Sequence, residues 1–370
     1  MQPSALRHAD LSRPQSWLTV GGGLLPGIAL ATLVALLSYL AAEWLAGLTS
    51  HTLAISPIVI AILLGIAIRN GTRLEAAFEP GLRFSQCRIL QIGIVLLGLR
   101  LSLGEFARVG LSSVPLIIIC IGSALLMITL LGRRIGLSPQ LATLIAAGTS
   151  ICGATAIVAT APIVGARSHE TSYAVACITL FGVMATLVYP PVAYWLFDGD
   201  PHKAGLFLGT AVHDTSQVVG AGMIWQHLYG SEQALDTATV TKLVRNLAML
   251  IVIPALSITF QRKYHTGGAR PHWTRLVPLF IVGFALMSLL RTVGDLRTTP
   301  FGFLTIDQWT ASIGYAKGGA ESALLIAMAA VGLNTSFTGF RSIGLKPLGL
   351  GLAAALTTGL VSSAMIGSFY

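Results

Sequence analysis

Eleven stretches of this chain are each apolar for long enough to cross a lipid bilayer. They run near 23–45, 53–69, 84–101, 110–132, 138–165, 171–197, 202–228, 236–260, 274–292, 307–333 and 345–368. A span needs roughly 20 mostly apolar residues, and so many in succession leave little chain for anything else. Only 10% of the 370 residues are charged, against roughly 25% in a soluble domain, so the chain cannot clothe a water-facing surface. The expectation is an all-α membrane protein of about 11 transmembrane helices, with residues 1–22 as a cytoplasmic N-terminal tail and 23–370 as one polytopic domain. The first apolar stretch, about Leu24 to Leu45, is too long for the 7–15-residue apolar region of a signal peptide.

The net charge of +9 would suggest nucleic acid in a soluble protein. Here the basic residues sit in short loops, where they signal orientation and not a nucleic-acid footprint. With the N-terminus cytoplasmic, alternating spans place 15 Lys and Arg inside and 5 outside, as the positive-inside rule requires. An odd span count then puts the C-terminus in the periplasm of a bacterial inner membrane. Trp17, Trp44, Trp195, Trp225, Trp273 and Trp309 fall at span ends, where an indole is half-buried and its N–H stays wet. The four cysteines form no CxxC or zinc spacing, so neither a disulfide nor a metal is expected.

Two segments echo each other. GLRLSLGEFARVGL (Gly98–Leu111) and GLNTSFTGFRSIGL (Gly332–Leu345) share six of fourteen residues at an offset of 234. The first leaves the third span outward and the second leaves the tenth span inward. Opposite topology in two copies is the architecture of many secondary transporters; chance likeness between Gly/Leu/Ser-rich loops is the alternative.

Polar residues interrupt four spans. The fifth holds Gly148, Thr149, Ser150, Cys152, Gly153 and Thr155 at its middle. Glycine weakens a helix there, and a broken span would offer a half-helix N-terminus to an anion; close packing through small residues fits equally well. The seventh carries His213, Asp214, Thr215, Ser216 and Gln217 in a row, a cluster that should line a cavity. His213 and Asp214 could carry a proton, or Asp214 could merely neutralise a cation. The eighth supplies Lys242, Arg245 and Asn246 on one helical face, where Arg could grip an oxyanion or Arg and Lys could pair with Asp214. The tenth holds Lys317, Gly318, Gly319 and Glu321, then Asn334; Lys317 and Glu321 could pair at i,i+4, and the glycines could mark a second break facing the first. No Walker A, HExxH or GxSxG motif occurs, so neither ATP drive, a cofactor nor an enzyme is indicated.

The stretches GTSICGATAIVATAPIV (Gly148–Val164), TAVHDTSQVVGAG (Thr210–Gly222), TKLVRN (Thr241–Asn246) and AAVGLNTSF followed by GLKPL resemble the YeiH-type family of bacterial multi-pass membrane proteins, labelled sulfate exporters. The resemblance runs from about Ile58 to the C-terminus. The family is grouped with the sodium/proton antiporters and bile-acid symporters. That grouping implies inverted repeats, crossing broken helices in the fifth and tenth spans, a bundle moving against a scaffold, and a homodimer. The family commonly has glutamate after the histidine, where this chain has Asp214, a shorter reach for the same charge. The resemblance implies transport of a small anion such as sulfate or an organosulfonate. On this reading Ser150, Cys152, Gly153, Thr155, Lys242, Arg245 and Asn246 bind the anion. His213, Asp214 and Gln217 couple a proton or sodium, and Lys317, Glu321 and Asn334 are secondary candidates. The partners are the lipid bilayer and the anion. A cation/proton antiporter, with His213 and Asp214 as the carrier pair, is the alternative, followed by a membrane protein without transport activity and by a channel.

Overall fold

The computed structural model describes residues 17–48, 56–72, 74–264, 278–296, 299–336 and 344–370, and the backbone alone for 17–22 and 261–264. The described residues form helices joined by short turns, without a strand. Residues 1–16 of the expected tail, Trp273 and Phe340 of the internal echo lie outside them.

Among the described residues, seven helical runs are long and apolar enough to cross a membrane. They expose large apolar side chains outward, among them Leu33, Leu40, Leu111, Ile118, Leu126 and Leu360. A contiguous apolar exterior on this scale requires lipid. Trp44 and Trp195 are exposed at helix ends as expected, whereas Trp225 is fully buried among Tyr194 and Tyr229 and is a packing residue.

The helices sort into two bundles. One comprises α1 (Trp17–Leu48), α2 (Pro57–Gly71), a run from α3 (Glu79–Phe84) through a π-segment (Ser85–Ile89) into α4 (Leu90–Leu97), α13 (Leu279–Asp295) and α14 (Ile306–Asn334). Its crossings are made close by glycine. A Cβ on Gly65 would lie 2.7 Å from the Leu333 amide nitrogen, and one on Gly27 would lie 2.6 Å from that of Leu82. Small residues at crossings are how helices associate when lipid supplies no hydrophobic drive.

The second bundle comprises α5 (Leu103–Arg134), α6 (Pro139–Ser150), α7 (Ala154–Val164), α8 (Ser168–Leu196), α9 (Pro201–Ala211), α10 (Thr215–Tyr229), α11 (Glu232–Leu247), α12 (Met249–Tyr264) and α15 (Leu345–Phe369). Here the structure corrects the span count. The fifth and seventh stretches are not spans but re-entrant hairpins. An unbroken helix over 139–164 would be about 39 Å long at 1.5 Å per residue. Instead Ser138, which caps the start of α6, donates to Glu170 Oε1 at 2.5 Å just beyond the end of α7. The chain has therefore returned to the face it left. The second hairpin does the same from the opposite face. His202 at the start of α9 lies 3.5 Å from Thr237, and Gln226 near the end of α10 shares Arg100 with Asp236. Gly205 and Gly209 of α9 pack on Thr237 and Thr241 of α11, at 2.5 and 2.7 Å for an added Cβ. The shared step of four shows that α9 runs parallel to α11, while α10 returns.

Hydropathy cannot separate these cases, because two half-helices of 11–15 residues hold as many apolar residues as one span. Each hairpin returns the chain to its starting face, so losing two spans leaves the parity unchanged. Arg167 moves to the Ser138 face and Lys203 to the Arg100 face, and the 15-to-5 bias in loop charge survives the exchange. The tenth stretch is also corrected. Helix α14 runs unbroken through Gly318 and Gly319, so the partner of the break in the fifth stretch lies in the seventh. The echoed segments at Gly98 and Gly332 leave their helices at opposite faces, at Arg100 and at Asn334.

Candidate functional site

The two hairpins point at each other from opposite faces and meet at their tips. The first tip is Ile151–Gly153, the second Val212–Asp214. They are equivalent in sequence at an offset of 61. Gly148/Gly209, Thr149/Thr210 and Val158/Val219 are identical, and Ile151/Val212 and Ile157/Val218 are conservative pairs. This repeat escaped the sequence reading, and the paired Gly-Thr steps were the available signal.

Each tip presents two helix ends. The C-terminal carbonyls of α6 and α9 have no further turn to bond, and α11 answers them. Lys242 Nζ donates to the carbonyls of Ile151 at 3.0 Å, Val212 at 3.2 Å and His213. Arg245 donates to Ser150 at 2.8 Å, Thr210 at 2.5 Å, Val212 at 3.3 Å and Thr149. Both side chains are wholly buried. Neither forms an ion pair with Asp214 or any other carboxylate among the described residues, which removes the expected Asp214 salt bridge.

The N-terminal ends of α7 and α10 are treated differently. Asp214 caps α10, accepting from the Ser216 amide at 3.0 Å and the Ser216 hydroxyl at 2.8 Å, while Gln217 Oε1 accepts from the Asp214 amide at 3.1 Å. This reciprocal arrangement is a capping box. Gly153 stands at the equivalent place before α7, at φ +63°, with no side chain to cap the helix. Its missing Cβ admits Asp214, whose Oδ2 would lie 2.7 Å away from that atom. One carboxylate thus sits between two positive helix ends.

The other sequence candidates divide plainly. Thr155 is exposed in the first turn of α7. Ser150 Oγ bonds within its own helix, Cys152 Sγ lies 3.2 Å from Met249 Sδ, and Asn246 donates to Thr215 at 3.1 Å. His213 is fully buried, and neither ring nitrogen has a hydrogen-bond partner among the described residues. The secondary candidates lie away from the tips. Lys317 pairs with Glu232 at 3.1 Å and not with Glu321, which accepts from Gln226 at 3.0 Å; Asn334 donates to Gln86 at 2.8 Å.

Sequence reasoning missed a polar clamp across the seam between the bundles. Arg100, at the end of the α4 run, bonds Glu232 at 2.9 Å and Asp236 at 3.0 Å on α11. With the Lys317 and Glu321 contacts it ties the two bundles together on the Arg100 face. On the opposite face the seam opens as a cleft of about 360 Å³ between α8 and the end of α14, lined by Thr171, Ser172, Val175, Thr179, Asn334 and Ser336. Gln217 donates to the Thr179 carbonyl at 3.2 Å, so the start of α10 adjoins this cleft.

Fold and site together define a multi-span helical membrane protein built around two opposed re-entrant hairpins. Over residues 26–351 the chain matches the family described as conserved hypothetical protein 698, and it belongs to that family, as the sequence motifs led one to expect. It is 34% identical to the UPF0324 membrane protein SAG1125 of Streptococcus agalactiae over 348 residues, covering 92% of this chain and 96% of that protein. It is 36% identical to the UPF0324 membrane protein spyM18_1033 of Streptococcus pyogenes, over 83% of this chain and 88% of that one. It is 33% identical to the UPF0324 membrane protein FN0533 of Fusobacterium nucleatum, over 82% and 88% respectively.

Proposed function

We propose that the protein is a secondary transporter of a small oxyanion, with sulfate and organosulfonates as the substrate class, and that the hairpin tips are its transport site. The observation that carries this reading is the meeting of two helix N-termini at the tips, one capped by Asp214 and the other bare at Gly153. A helix end carries about half an elementary charge. The two carbonyl ends, about −0.5 each, face two cations; the two amide ends, about +0.5 each, face one carboxylate. The tips therefore lack about one negative charge, which an anion at the start of α7 supplies.

In this reading Lys242 and Arg245 do not grip the anion, because their donors already hold carbonyls. They set the positive field in which it binds. Asp214 competes with the anion for the same helix ends, so a proton on its carboxylate favours anion binding and couples the two. The clamp on the Arg100 face and the cleft opposite suit alternating access, the hairpin bundle moving against the other. The loop-charge bias supports a cytoplasmic Ser138 face in a bacterial inner membrane.

The test is uptake of labelled sulfate and of methanesulfonate into proteoliposomes with and without a pH gradient. Flux of either anion that grows with the gradient supports the reading. The partial exposure of Asp214 favours one rival, cation/proton exchange; sodium or potassium flux driven by the same gradient, with neither anion moving, would establish it instead.

A further inference from the structure

The six carbonyl oxygens that hold Lys242 and Arg245 come in equal shares from the two hairpins. Thr149, Ser150 and Ile151 supply three, and Thr210, Val212 and His213 supply the others. In transporters, the carbonyls of broken helices and the C-terminal ends of half-helices are where sodium or a proton is coordinated. Here those ligands are present, converge, and are already occupied by charges the chain carries itself.

We propose that Lys242 and Arg245 act as tethered cations in place of alkali ions, so that the hairpin tips assemble without sodium and transport draws no sodium coupling from this place. The coupling clause rests on the transport reading above; the occupancy itself rests on geometry alone. Three features support it. The two side chains sit one helical turn apart on one face of α11, so a single helix staples both tips. Both are wholly buried and no carboxylate balances either among the described residues, so their charge answers backbone dipoles. And Lys242 Nζ uses all three of its donors on carbonyls, so these acceptors are already met by a charge the chain carries and nothing is left for a substrate.

The experiment is thermal unfolding of the purified full chain in sodium, potassium and N-methylglucamine chloride at equal ionic strength. The wild type is expected to melt at one temperature in all three, within about a degree, because a ligand stabilises only where it has a site. Lys242→Ala empties one cage. It is expected to melt several degrees lower in N-methylglucamine and to recover saturably with sodium or ethylammonium. Lys242→Met fills the cage without charge and is expected to stay low in every salt. Saturable stabilisation of the wild type by sodium over potassium would overturn the proposal. So would a Lys242→Ala protein that folds but ignores every cation, or Lys242→Met melting like the wild type. Should Lys242→Ala not fold, the wild-type comparison still decides. None of these readings needs a substrate, so a protein that moves no anion can pass, and an anion transporter with a sodium-dependent melting temperature fails this inference alone.

Discussion

Gly153 and Asp214 occupy the same position in two opposed hairpins, and the Asp214 carboxylate stands where a side chain on Gly153 would be, its Oδ2 2.7 Å from that absent Cβ. One helix is capped from within the chain and its counterpart is bare. On the proposed function, this asymmetry in an otherwise repeated structure is what lets an anion compete with Asp214 at the start of α7.

Gly153→Ala should therefore act on both stability and transport, and the two effects can be separated. Alanine at a positive φ costs roughly 1–2 kcal/mol. At Gly136, with φ +75°, an added Cβ would meet nothing among the described residues nearer than Lys346 Nζ at 4.0 Å. Both alanine variants should lose stability in a melting experiment, Gly153→Ala the more, because its φ of +63° with ψ of −127° lies outside the left-handed helical region and its methyl also meets Asp214. Only Gly153→Ala should lower anion flux, by tenfold or more, because only there does the new methyl meet Asp214.

Asp214→Asn keeps an acceptor for the Ser216 amide and removes the charge. The cap should survive, as read by a melting temperature within a few degrees of the wild type. Anion flux should persist at a changed rate and lose its response to an imposed pH gradient. A gradient response of wild-type size would remove Asp214 from the coupling step.

Glu232 on α11 reaches across the seam to both Arg100 and Lys317 of the other bundle. Glu232→Gln should weaken the clamp and shift the protein toward a state in which the opposite cleft is closed. The rate at which a maleimide labels Val175→Cys, in the wall of that cleft, should fall several-fold. An unchanged rate would show that the clamp does not bias the two states.

Much of this was legible in the sequence, for reasons that also mark its limit. The apolar stretches and sparse charge showed the membrane class, because both follow from composition. The polar interruptions at Ser150–Thr155 and His213–Gln217 marked the two tips, because buried polar groups need a reason. What could not be read was the direction of the chain beyond each interruption. A three-residue turn at Ile151–Gly153 and a kink look alike in hydropathy. The distinction lies in long-range contacts, such as Ser138 with Glu170 and Gln226 with Arg100. The role of Lys242 and Arg245 was hidden for a related reason. Cations buried in a membrane suggest an anionic partner, but the partner here is a set of backbone carbonyls, which the sequence does not display. The Gly-Thr echo at an offset of 61 is the sequence signal that pairs the two hairpins.

The tip-to-tip site exists only if both hairpins return to the face they leave, and their topology can be measured directly. In a background with the native cysteines replaced, single cysteines at Gln140, Arg167, Lys203 and Ser231 would be labelled with a membrane-impermeant maleimide from each side of sealed, oriented vesicles. The structure predicts that positions 140 and 167 react from one side and that 203 and 231 react from the other. Labelling of 140 and 167 from opposite sides, or of 203 and 231 from opposite sides, would make that stretch a true span and contradict the tip-to-tip site.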